Sequence, residues 1–190
     1  MAASPMRLLA GDALVIVDLQ CDFCSGGALP IAGAEEIVPI INDLIEEAIA
    51  AHALIVASRD WHPPDHWSFL GYGGGGPAHC VQGSVGAKFH LALRLPDSAL
   101  LVSKGQRVDQ DQYSAFDATG LVEELRRRNV KRVLICGLAQ DVCVRASALD
   151  AVEAGFETHV RLSATRPVTP THGEEAVAEM LRAGVIVEGD

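Results

Sequence analysis

Asp60 and His62 stand two positions apart in the run from Ser58 to His66, with His79 following and Cys143 far downstream in the stretch from Gly137 to Val144. One carboxylate and two imidazoles are a donor set suited to Zn²⁺, Fe²⁺ or Mn²⁺ that leaves positions open for water or substrate. His66 could be a fourth ligand. Asp-x-His also occurs in many unrelated surface loops, so the spacing alone does not decide the matter. A cysteine just past a strand, where a helix begins, meets unpaired backbone N–H groups and the positive end of the helix dipole. Such a site favours thiolate and predicts a Cys143 pKa below about 8.5. The same N–H groups can hold an oxyanion when the thiolate attacks a carbonyl. By position alone, Cys143 could also be a small buried residue of an Ala-rich helix.

Two further residues fall at comparable places. Asp18 could take the thiol proton and return it to a leaving amine, or it could cap a neighbouring helix. Lys104 could hold Asp18 ionised beside the thiolate, although a lysine after a strand is usually solvated. Cys21 and Cys24 form a weaker pair, because Ser25, Gly26 and Gly27 read as loop where a redox motif would open a helix. Cys136 lies inside a strand and reads as core.

The elements that must position these groups alternate. Apolar runs at 13–18, 53–58, 99–103, 133–136, 156–162 and 185–187 read as strands. Helical spacing covers 35–51, a segment from a cap at Asp117 or Thr119 to about Asn129, the span 141–154 ending at Gly155, and a last helix from Thr169 or Thr171 to Arg182. The segment from Arg59 to Pro96 reads mostly as loop, and a loop of that length with Trp, Phe and His is usually functional. The alternation predicts an α/β fold in three αβα layers, a mostly parallel six-stranded sheet with helices on both faces. Ligands of such sheets bind beyond the carboxyl ends of the strands. Asp18, Asp60, His62, Lys104 and Cys143 would all gather there.

A chain of 190 residues, nearly half apolar, is expected to form one domain. The formal charge of −10 argues against nucleic acid or an anionic membrane surface as partner. Arg126 to Arg128 and Lys131-Arg132 sit around a predicted helix end, where cations complement the dipole. No secretory signal or membrane-spanning run is expected, so the cytoplasm is the expected compartment. Five cysteines, an odd number, do not form a closed disulfide framework.

The run from Asp18 to Pro30, the Asp60-Trp61-His62 loop, the stretches His79 to Ser84 and Gly86 to His90, and Gly137 to Val144 together resemble the nicotinamidase/pyrazinamidase branch of the isochorismatase-like cysteine hydrolases. The likeness spans about Ala13 to Val168. It implies a triad of Asp18, Lys104 and Cys143, and one divalent metal, zinc first with iron or manganese as alternatives. The ligands would be Asp60, His62 and His79, with His66 as the further histidine. It also implies a cis peptide between Leu138 and Ala139, an oxyanion hole from the N–H groups of Ala139 and Cys143, and a ring pocket lined by Phe23, Tyr113 and Leu138. The implied reaction is hydrolysis of nicotinamide or a similar small heteroaromatic amide through a thioester, with the metal holding the ring nitrogen. Relatives commonly carry Trp three residues before the metal-binding histidine; here that position is Gly76, and Trp67 could take its place. Alternatives are another hydrolase of the superfamily, acting on carbamoyl or ureido amides or on isochorismate, and an inactive fold serving as an interaction module. The intact triad argues against the last. Exposed sheets of this kind often associate, so a homo-oligomer is a further expectation.

Overall fold

The computed structural model of the protein describes residues 5–189. Six parallel strands run in the order β3-β2-β1-β4-β5-β6: β1 (Ala13–Val17), β2 (Leu54–Asp60), β3 (Leu100–Lys104), β4 (Arg132–Leu138), β5 (Glu157–Arg166) and β6 (Ile186–Glu188). The central strands are apolar without a break because both faces are covered: every residue of β1 is buried. Leu14, Ile16, Leu134 and Cys136 point to one face, where they pack on α1 (Ile37–Ala51) through Ile37, Ile41, Leu44, Ile45 and Ala48. The alternate residues Val15, Val17, Val133 and Ile135 pack on the other face against α2 (Leu121–Arg127), α3 (Arg145–Glu153) and α4 (Pro170–Ala183).

The sheet and its layers are those expected, and the differences lie at element ends. Gly120, at φ +79°, precedes α2, while the Thr119 hydroxyl accepts from the Leu121 N–H at 3.3 Å. The helix expected from Asp141 opens instead with a wider π turn, Gln140–Val144, in which the Ala139 carbonyl accepts from both Val142 and Val144. β5 runs four residues past the expected Leu162, because the register slips between Ile135 and Gly137 and lets Thr165 and Arg166 rejoin β4. α4 begins as its sequence suggests: the Thr169 side chain accepts from the His172 N–H, Pro170 is at the first turn, and Gly184 closes the helix at φ +95°.

Chain order reverses between β1 and β4: β1, β2 and β3 step one way, then β4, β5 and β6 the other. The crevice for a ligand lies outside the carboxyl ends of those two strands. The 61–99 segment lies over it with only isolated bridges, among them His62 to Val81 and Phe69 to Gly76. Among the described residues, no helix is long and apolar enough to cross a membrane.

Candidate active site

Lys104, the last residue of β3, is fully buried, and its ammonium is the hub of the site. Its Nζ lies 2.7 Å from Asp18 Oδ2, 2.6 Å from Asp60 Oδ1 and 3.4 Å from Cys143 Sγ, and also donates to the Gln112 carbonyl at 3.3 Å. Burial alone would lower its pKa, but the Asp18 and Asp60 carboxylates outweigh that and hold it well above the ordinary value. It stays protonated.

Asp18 follows β1 with φ +46°, a left-handed conformation that Asp tolerates better than most residues and that bends the chain as it leaves the sheet. Its Oδ1 accepts from the Ser58 hydroxyl at 2.7 Å, while Oδ2 faces Lys104 without a well-aligned hydrogen bond. Burial raises the Asp18 pKa, and Lys104 and Ser58 oppose the rise. Burial likewise pushes the Cys143 thiol well above its ordinary range despite the nearby Lys104. This corrects the expectation of a lowered pKa. Cys143 lies inside the π turn, only 7% exposed and beside two carboxylates, and desolvation of the anion outweighs the helix end. The resting thiol is therefore neutral, with two carboxylates beside it: ligand atoms of Asp18, Asp60 and Cys143 all lie within 4.8 Å of one another.

Asp60, His62 and His79 form a second group whose donor atoms also lie within 4.8 Å of one another. His62 Nδ1 meets the Gly105 carbonyl at 2.9 Å and His79 Nδ1 meets the Pro77 carbonyl at 2.9 Å. A carbonyl only accepts, so both rings carry a proton on Nδ1. Burial would lower the His62 pKa, but Asp60 outweighs it and raises the pKa, and loss of the second proton would turn Nε2 into a metal donor. Asp60 gives Oδ1 to Lys104 and keeps Oδ2 on the His62 side, 3.6 Å from Nε2. Burial would raise the Asp60 pKa, but Lys104 and His62 hold it far below the usual carboxylate range. Three donors of this type fit a divalent metal with open positions. Gln20, fully buried, fixes Asp60 from behind by accepting from its N–H and donating to its carbonyl, each at 2.8 Å.

His66 does not join this group. Its Nε2 meets the Gln110 carbonyl at 3.1 Å and its Nδ1 the Ser68 hydroxyl at 2.7 Å, so neither nitrogen is free, and its ring lies tilted against His62 with centroids 4.3 Å apart. Cys21 and Cys24 are also outside both groups.

A cavity of about 330 Å³ opens onto both groups and is bordered by Phe23, Asp60, His62, His79, Tyr113, Ala139 and Cys143. Leu138 is fully buried in the core, and Trp67, 43% exposed, lies outside the lining, so neither borders the cavity as expected. The Leu138–Ala139 peptide is cis. Ser58, Gln20 and the rim residues Leu29, Asp111 and Val168 also belong to the site, without having been expected there. Ser58 had a usable signal: it lies two residues before Asp60, on the same side of a strand that ends at the site.

The isochorismatase domain family matches residues 12–189. The chain belongs to the isochorismatase family. Within that family, it is 38% identical to the nicotinamidase/pyrazinamidase of Mycobacterium tuberculosis over 91% of this chain and 96% of that one. The isochorismatase fold described above superposes on the pyrazinamidase of Pyrococcus horikoshii in complex with zinc with a TM-score of 0.91 and 43% identity, covering 95% of this chain and 99% of that one. A nicotinate complex from L. infantum gives a TM-score of 0.88 and 36% identity, covering 96% of each chain.

Proposed function

We propose that the protein is a metal-dependent cysteine amidohydrolase that hydrolyses nicotinamide and pyrazinamide-like heteroaromatic amides to the acid and ammonia. The observation that carries this reading is the Lys104 ammonium shared by Asp18, Asp60 and Cys143, which joins a thiol, its base and a metal donor set in one cavity. The relatives support the amide and zinc as the metal.

In this reading, Asp18 takes the Cys143 proton as Sγ attacks the carboxamide carbon. Lys104 stays charged and balances the negative charge as it moves from Asp18 to sulfur. The N–H groups of Ala139 and Cys143 receive the oxyanion. Asp18 then gives its proton to the departing ammonia, and water, activated by the same carboxylate, cleaves the thioester. Phe23 and Tyr113 border the ring. Asp60, His62 and His79 would hold the metal, which when bound supplies a Lewis acid for the ring nitrogen. We place this chemistry in one domain acting in the cytoplasm.

The test is ammonia release from nicotinamide, pyrazinamide and aliphatic amides, with metal analysis. Cys143→Ala is expected to lose about 10⁴-fold or more of kcat, as when a nucleophile is removed. His62→Ala is expected to lose metal and aromatic-amide activity together. Activity persisting in Cys143→Ala would rule out the thioester route, and equal rates on aliphatic amides would rule out ring recognition.

A further inference from the structure

The four glycines at 73–76 are not equivalent. Gly73 adopts φ +122°, and a side chain at Gly74 would collide with the Ser68 backbone, so the turn itself requires glycine at both. Gly76 is different. Its φ lies outside the left-handed region, and within 4 Å an added Cβ would meet only the Ser68 carbonyl, at 3.7 Å, an ordinary contact. Its backbone bonds, from its N–H to Ser68 at 3.4 Å and to its carbonyl from Leu70 at 2.7 Å, are open to any residue except proline. Yet Gly76 borders the cavity together with Ser68 and His79. The backbone does not require the missing side chain; the cavity gains its volume.

That volume exceeds what a single six-membered ring with a carboxamide fills. Nicotinamide has nine non-hydrogen atoms, and because bonded ring atoms each take well under the ~30 Å³ that a whole water molecule occupies in the liquid, the amide together with a metal ion and one water leaves part of the cavity empty. The border is mainly apolar, with Phe23, Leu29, Ile31, Val142 and Val168; its charged residues are Asp60 and Asp111, with no Lys or Arg. Such a wall accepts a neutral apolar group and disfavours an anionic one.

We propose that Gly76 sets the width of the pocket and that the preferred substrates are heteroaromatic primary carboxamides carrying a neutral, bulky ring substituent. This rests on the amidohydrolase reading and narrows it to a substrate class. An unsubstituted ring leaves the Gly76 side unfilled and binds with less contact.

The experiment measures kcat and KM for nicotinamide and for its 5- and 6-methyl and phenyl derivatives, with wild type, Gly76→Ala and Gly76→Trp. In the wild type, at least one substituted amide is expected to have a kcat/KM about 10-fold or more above that of nicotinamide, the scale of a few added apolar contacts. Gly76→Trp is expected to reverse the preference through KM, raising it for the substituted amide and lowering it for nicotinamide, with Gly76→Ala between. A wild type that favours nicotinamide over every derivative overturns the inference, even if Gly76→Trp fails to fold. So does a Gly76→Trp enzyme in which both KM values move the same way. Nicotinamide hydrolysis with rejection of bulkier rings leaves the amidohydrolase reading standing, whereas ammonia from none of the amides overturns both.

Discussion

Each carboxylate beside Lys104 is drawn a different way: the ammonium shared with Asp60 keeps that group ionised, while burial lifts the pKa of Asp18. A base with a raised pKa suits a thiol whose own pKa is raised, since the proton then moves between groups of closer affinity. The Ser58 hydroxyl modulates this balance, because its 2.7 Å bond to Asp18 favours the ionised form. Ser58→Ala removes that bond and raises the Asp18 pKa further. In the proposed reaction Asp18 must be ionised to accept the thiol proton, so activity is lost as pH falls through its pKa, and the acid limb of kcat/KM is expected to move to higher pH in the variant. A limb that stays in place or moves down would exclude Asp18 as the titrating base. Strand-end position made Asp18, Lys104 and Cys143 legible in the sequence, because each follows its own apolar run. Their ionisation was not legible: a helix end argues for a low Cys143 pKa, and only the packing around Sγ shows that desolvation wins. His66 misleads for a similar reason, since its residue type fits a metal and its hydrogen bonds are visible only in three dimensions.

Among the elements, the segment after β3 fixes His62, a proposed metal ligand, from outside the 61–99 segment. Gly105, at φ +65°, offers its carbonyl to His62 Nδ1, and a Cβ there would run into the imidazole. Gly105→Ala is therefore expected to displace the ring and weaken zinc binding by about 10- to 100-fold, the usual cost of disturbing a group that orients a ligand. Competition with a chromophoric chelator would measure it, and wild-type affinity would mean that Gly105 does not position His62. α4 tests a simpler relation between sequence and stability. Thr169→Ala removes the acceptor for the His172 N–H and is expected to cost about 1 kcal/mol. For a chain of this length that lowers Tm by about 2–4 °C, measurable by calorimetry. Caps and strand runs of this kind made the element order readable from local pattern. The longer β5 was not readable, because it depends on the register slip between β4 and β5, and the π turn at Gln140–Val144 was not, because the hydrogen bonds to the Ala139 carbonyl show only in three dimensions.

Across the whole molecule, the proposed site occupies the carboxyl edge at the β1–β4 crevice, while at the far edge of the sheet Met6 is tied to β5 and β6. Glu188, in β6, is fully buried and accepts from the Met6 N–H at 2.7 Å, His159 Nδ1 at 2.8 Å and Arg161 Nε at 2.6 Å. Arg161 also donates to the Met6 carbonyl at 3.0 Å, so one carboxylate and one guanidinium clamp the amino-terminal segment to β5 and β6. An edge strand of three residues has few ladder bonds of its own and depends on this clamp. Glu188→Ala would leave Arg161 half-buried without its carboxylate and the Met6 N–H without an acceptor. Breaking a buried pair from one side costs about 3–5 kcal/mol, so the urea midpoint is expected to fall substantially. None of these residues borders the catalytic cavity, and the folded variant should keep the wild-type kcat and KM. A large loss of kcat with an unchanged midpoint would instead mean that the far edge of the sheet is coupled to the site.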